Sequence, residues 1–313
     1  MTTVLAGDIG GTKSLLGLFE DGRCVLERRL ANADFPDLVA VIASFLAEAA
    51  PARIDAACLA LAGPIADGGR RARLTNLPWE VDADALEARF GLRSLRLVND
   101  FAAAAQGAVV TTAAQLATVQ AGQPLGEAPR LVVGAGTGLG MALVLPQGDG
   151  GWRIVPGEGG HVAFAPADDE QLALWRHLRR RHDRVTWERV VSGPGLVAIH
   201  ECLHGTHAMT AEAIGTEALR APDSAEAASL RLFLSCYGAY AGDMALAALA
   251  RGGVFLAGGI AARVLPALSG PEFLGAFNDK HEHAGIAGAM PVHVALDPAL
   301  GLRGAALLAR TGD

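Results

Sequence analysis

The strongest constraint on this chain is a pattern that occurs twice: an apolar strand, a glycine-rich turn, then a second strand. The first copy runs from Thr3 to Asp8, turns at Gly10-Gly11-Thr12 and leaves through Ser14 to Phe19. The second enters through Arg130 to Val133, turns over Gly134 to Gly140 and leaves through Met141 to Leu145. Two copies of one unit point to a duplicated architecture with two related lobes. At 313 residues the chain is long enough for two cores. Hydrophobic residues make up 51% and charged residues 19%, a folding composition. Aromatics are only 5%, so Ala, Val, Leu and Ile must fill those cores.

The turns also carry chemistry. Glycine has no Cβ, so backbone amides around it can converge on phosphate oxygens. A third such turn, Ala257-Gly258-Gly259-Ile260, follows the apolar run from Gly253. Each turn alone also suits a plain hairpin. Two common nucleotide signatures are absent: no Gly-Lys pair occurs, and the spacing from Gly134 meets Leu139 where a dinucleotide fingerprint needs glycine. The first two turns lead into strands, so phosphate is expected between hairpins. Asp8, at a strand end beside Gly10-Gly11-Thr12, either holds Mg²⁺ directly or through water, or caps its own turn.

Three further polar groups stand at turns. Asn99-Asp100 follows the strand Leu95 to Val98 and opens an Ala-rich helix near 101–108. Polar residues there sit where open α/β sheets bind ligands, although a helix cap is the plainer reading. As a base, Asp100 would take the proton of an attacking hydroxyl. Pro156-Gly-Glu158-Gly-Gly-His161 puts a carboxylate and an imidazole three apart in a glycine turn. Both can face one polyol, or pair with each other. Glu188 precedes the bend Ser192-Gly-Pro-Gly195; a lone Glu at a helix start also serves the helix dipole. Other helices are expected near 35–50, 82–90, 168–182, 187–204, 224–251 and 302–309, with a loose stretch at 118–129.

Composition excludes several classes. Net charge is −7, so no broad basic face for nucleic acid is expected. The run Arg176 to Arg184 reads as a solvated helix face. Four cysteines form no C-x-x-C pair, and reduced thiols in the cytoplasm are expected. No signal peptide or membrane span is expected either. His200-Glu201-Cys-Leu-His204 matches the zinc-protease pattern H-E-x-x-H, with His207 as a further candidate ligand. Three fixed positions match often by chance, and no other motif here needs zinc.

Together the segments Gly7 to Thr12, Leu61 to Ile65, Leu74 to Trp79, Val98 to Phe101, Gly134 to Gly140, Pro156 to Phe164, Glu188 to Val197 and Gly252 to Ile260 resemble the bacterial glucokinase family, of the hexokinase–actin-like ATPase superfamily. The resemblance runs along nearly the whole chain. It implies a two-lobed α/β fold of the actin-like ATPase (ribonuclease H-like) type. The smaller α/β domain would span 1–110 plus about 298–313, the larger α+β domain 111–297, with a cleft between them. It implies ATP and Mg²⁺ as cofactors, and phosphorylation of glucose at its 6-hydroxyl to feed glycolysis. Asn99, Asp100, Glu158, His161 and Glu188 would bind the sugar, with Asp100 as general base. Gly7, Asp8, Ile9, Gly10, Gly11, Thr12, Gly136, Thr137, Gly258 and Gly259 would hold the nucleotide, and Asp8 the metal. A homodimer is also implied. Lys13 departs from the Asn common in close relatives and matches the related repressor/kinase family, whose cysteine-rich zinc cluster this sequence lacks. A kinase for another hexose, a non-catalytic sugar sensor and an actin-like ATPase are the alternatives.

Overall fold

A computed structural model describes residues 2–75, 77–148, 150–205 and 208–310. Asn76, within the Leu74 to Trp79 segment, and His207 lie outside the described residues. The chain divides into two compact units, Met1–Thr111 with Asp297–Asp313, and Thr112–Leu296.

The first unit is built on β1 (Thr3–Ile9), β2 (Lys13–Glu20), β3 (Arg23–Ala31), β4 (Ala56–Leu61) and β8 (Leu95–Asn99), in the order β3-β2-β1-β4-β8. The first three are antiparallel and the last two run parallel to β1. Alternation along β1 sends Leu5 and Ile9 to one face and Val4 and Ala6 to the other. On the first face lie α1 (Leu38–Ala49) and α2 (Ala83–Phe90), through Val41, Ile42, Phe45 and Leu86. The second face is closed by α3 (Asp100–Val110) and the terminal α12 (Leu300–Arg310), through Ala103, Leu302, Ala305 and Ala306. These two helices approach until a Cβ on Gly304 would lie 1.8 Å from the Ala103 carbonyl oxygen, and one on Gly107 would lie 2.3 Å from that of Leu300. Only glycine permits that approach. The short strands β5 (Ile65–Ala66), β6 (Arg71–Arg73) and β7 (Glu80–Asp82) form a separate small antiparallel sheet.

In the second unit, β9 (Leu116–Gln120), β10 (Arg130–Ala135), β11 (Leu139–Pro146), β12 (Trp152–Gly157), β13 (Gly253–Ala257) and β14 (Val292–Ala295) are ordered β12-β11-β10-β13-β14-β9. Its first five strands repeat the first unit: three antiparallel, then two parallel, with the glycine turn joining the central hairpin. The duplicated hairpin is thus the seed of a duplicated sheet. Its helices are α4 (Asp169–Arg179), α5 (Gly193–His204), α6 (Ala211–Arg220), α7 (Ala225–Ala248), α8 (Gly259–Arg263), α9 (Leu265–Leu268), α10 (Pro271–Asn278) and α11 (Ala284–Gly288). The core centres on α7, where Phe233, Tyr237 and Tyr240 are fully buried.

Two expectations need correction. The helix expected over 187–204 is broken into a 3-10 turn at Trp187–Arg189 and α5. Ser192 stops the first and caps the second, its Oγ accepting from Gly195 N–H at 3.1 Å, and Pro194 restarts the helix. The stretch 118–129 is not wholly loose, because its start belongs to β9, which pairs with β14. Among the described residues no helix is long and apolar enough to cross a membrane.

Candidate active site

In the first unit, parallel strands bring the ends of β1, β4 and β8 to one edge, with Ile9 opposite Leu61 and Leu61 opposite Asn99. Two strand spacings, about 10 Å, therefore separate the turn after Ile9 from the start of α3. The turn is closed by Gly10 N–H donating to the Lys13 carbonyl at 3.0 Å. Asn32, fully buried, pins it from beneath. Its Nδ2 donates to the Gly10 carbonyl (2.8 Å), its Oδ1 accepts from Ser14 Oγ (2.7 Å) and its own N–H donates to the Thr12 carbonyl (3.0 Å). Nothing in the sequence pattern singles out Asn32; a polar residue just after an exposed strand is unremarkable there.

Asp8 faces the first turn of α12, where a Cβ on Gly301 would stand 2.5 Å from its Oδ2. Desolvation pushes its carboxyl up from 3.8 to about 6, and Arg29 offsets part of that. Among the described residues no group of three or more His, Cys, Asp and Glu forms a metal cage. A single carboxylate at a turn suits an ion that keeps most of its waters, as Mg²⁺ does.

Asn99, not Asp100, is the cap residue of α3. Its Oδ1 accepts from Phe101 N–H (2.9 Å) and Ala102 N–H (3.3 Å), which leaves its amide nitrogen outside the cap. Asp100 opens the helix, half-buried, with Oδ1 accepting from Phe101 N–H at 2.9 Å. The close contact of α3 with α12 fixes where this carboxylate stands.

The second unit gathers its own candidates around the start of β11. Gly136 N–H donates to the Gly138 carbonyl (2.8 Å), and the Gly136 carbonyl accepts from Gly193 N–H (2.8 Å). Thr137, between them, is exposed. Glu188 Oε2 accepts from Leu139 N–H at 2.9 Å. The loop of Glu158 and His161 packs on the same residue, for a Cβ on Gly160 would lie 2.0 Å from the Leu139 carbonyl oxygen. Glu158 and His161 are exposed, with Oε2 and Nε2 3.9 Å apart. Beneath this loop lies the buried Tyr240 hydroxyl, which has no hydrogen-bond partner among the described residues and would be 2.8 Å from a Cβ on Gly159. Trp187 locks the arrangement: its N–H donates to the Val162 carbonyl (3.0 Å) and its ring lies 4.9 Å from Phe164 and 5.5 Å from Tyr240. Gly258 has φ +86° and sits against β10, where a Cβ would be 2.7 Å from the Ala135 carbonyl oxygen.

Gly7 to Thr12, Asn99 and Asp100 thus share one edge of the first unit. Gly136, Thr137, Glu158, His161, Glu188, Gly258 and Gly259 lie around the ends of β10 and β13 and the start of β11 in the second. The H-E-x-x-H segment has other work. His200 is buried with Nδ1 2.9 Å from Ser229 Oγ, and Glu201 pairs with Arg181 at 2.6 Å. The third candidate ligand, His207, lies outside the described residues.

A family model described as Glucokinase matches residues 5–312. The glucokinase of Trichormus variabilis is 39% identical, the alignment covering 99% of each chain. The crystal structure of a glucokinase from an Antarctic psychrotroph superposes with a TM-score of 0.86 at 30% identity, covering both chains completely. A ROK family glucokinase from Streptomyces griseus, solved with glucose and AMPPNP, shares the fold at a TM-score of 0.68, with 24% identity over 99% of this chain and 100% of its own. The fold is that of the actin-like ATPase class. The chain belongs to the glucokinase family.

Proposed function

We propose that this chain phosphorylates D-glucose at its 6-hydroxyl with ATP, using Asp100 as the general base. The observation that carries the reading is the family match over residues 5–312, which spans every residue named here. Asn99, Asp100, Glu158, His161 and Glu188 hydrogen-bond the sugar; carboxylates suit a polyol because each oxygen accepts a hydroxyl hydrogen. Gly7 to Thr12, Gly136, Thr137, Gly258 and Gly259 bind the nucleotide, whose phosphate oxygens take backbone N–H donors. Asp8 holds Mg²⁺, which when bound neutralises phosphate charge. Asp100 accepts the proton from O6 as the O6–phosphorus bond forms and ADP departs.

Asn lacks a basic oxygen of that kind while keeping the shape of Asp. Asp100→Asn is therefore expected to lower turnover by about two to four orders of magnitude with glucose binding still detectable calorimetrically. Near-normal ADP release in that variant would refute the assignment. The same ADP-release assay with fructose, mannose and N-acetylhexosamines tests the choice of sugar. A cytoplasmic homodimer is the setting this reading gives the enzyme, and sedimentation measures its oligomeric part.

A further inference from the structure

We infer that Glu188 is a positioning residue for the phosphate turn Gly136-Thr137-Gly138, in addition to contacting sugar. The inference rests on the proposed function only in taking that turn to bind nucleotide. Its evidence is the way one segment, 188–195, grips the turn at both ends. At one end Gly193 N–H donates to the Gly136 carbonyl at 2.8 Å. At the other, Glu188 Oε2 accepts from Leu139 N–H at 2.9 Å. The two grips are tied together, because Ser192 Oγ donates to the Glu188 carbonyl (2.6 Å) and accepts from Gly195 N–H (3.1 Å).

Gly138 makes the second grip possible. A Cβ there would stand 2.5 Å from Glu188 Oε2, and among the described residues outside its chain neighbours Glu188 is the only side chain it would meet within 4 Å. Glu188 itself cannot drift, since the preceding Trp187 is buried against Phe164 and Tyr240. A hydrogen bond to a charged acceptor is among the stronger ones a protein makes. The exposed Thr137 is thus presented to phosphate by a turn whose far end hangs on a sugar-contacting carboxylate. One side chain then serves both substrates, and occupancy of either site is felt at the other.

The test is calorimetric binding of AMPPNP with Mg²⁺ to the full chain in the absence of sugar. A residue that only touches sugar leaves this constant unchanged. Glu188→Ala is expected to weaken binding about tenfold, the loss of one charge-assisted hydrogen bond. Glu188→Gln, which keeps an acceptor oxygen opposite the Leu139 amide, is expected to return to within about threefold of wild type while its KM for glucose stays raised. Gly138→Ala, which pushes the carboxylate off the amide and leaves Glu188 in place, is expected to weaken binding alone but to change it less than about twofold in the Glu188→Ala background. Wild-type affinity in Glu188→Ala, or an equal Gly138→Ala effect in both backgrounds, overturns the inference. If Glu188→Ala does not fold, wild-type affinity in Gly138→Ala overturns it. These results leave the proposed function standing. A wild-type chain that neither binds AMPPNP nor releases ADP with glucose sinks that function, and the inference with it.

Discussion

Asp8 illustrates how enclosure can hold one side chain in its neutral form. Folding encloses it beside α12, so the neutral acid is favoured and its carboxyl titrates near 6, against 3.8 in the unfolded chain. The stabilisation from the bound proton is fully present below about pH 4 and lost as pH rises through about 6. Above that, the ligand-free fold carries a desolvated charge. Asp8→Asn removes the titration, so its stability relative to wild type should grow between pH 4 and 7, by on the order of 3 kcal/mol. Thermal melts across that range measure it; a flat difference contradicts the raised carboxyl of Asp8. In the proposed metal role Mg²⁺ would displace that proton, so AMPPNP binding with Mg²⁺ should weaken as pH falls below about 6. Asn32 works at the same scale without charge. Asn32→Ala leaves the Ser14 hydroxyl and Gly10 carbonyl unpaired, at a cost of about 1–3 kcal/mol. It should raise KM for ATP more than KM for glucose, which steady-state kinetics would show.

Among elements, α3 and α12 matter most, because Asp100 heads one and Asp8 faces the start of the other. Their glycine contact leaves no room for a methyl group. Gly304→Ala is expected to cost about 1–3 kcal/mol and to lower turnover, both measured on one preparation. Retained stability with full activity would mean that the helices separate at no expense. This contact also marks where the sequence stops being legible. The hairpins β1–β2 and β10–β11 announce themselves through apolar runs bounded by glycine, and the end of α1 through Pro51; its start at the Asp37 cap, rather than at Phe35, does not. Gly107 and Gly304, by contrast, look like ordinary helix-weakening glycines until two distant helices are placed together. The expected helix over 187–204 runs through the bend Ser192–Gly195 because Val190 and Val191 continue an apolar period, whereas the Ser192 cap and Pro194 start the helix afresh. Within the site, the residues at glycine turns were readable. Asn32 and the tie from Glu188 to Leu139 were not, because they are long-range contacts between segments of unexceptional composition.

At the scale of the whole molecule, the two units differ in how the chain visits them. The second is one continuous stretch, Thr112–Leu296, whereas the first is assembled from both ends of the chain. Without α12, the face of its sheet made by Val4, Ala6, Phe19, Cys58 and Ala60 loses its cover of Leu302, Ala305 and Ala306. A chain ending at residue 296 should therefore lose cooperative melting of its first unit and all sugar phosphorylation. Residues 112–296 alone should still melt cooperatively, since their core is drawn from within that stretch. Calorimetry of the two fragments checks both statements, and an active 1–296 fragment would contradict the first.

The discontinuous unit also sets an order of events during synthesis. Its opening strands leave the ribosome before the second unit, yet the helix that shields them is translated after it. The nascent chain must carry a half-covered sheet through the making of everything between. The second unit can mature on the ribosome while the first still waits for α12. A product terminated before α12 would therefore present apolar surface to chaperones and proteases.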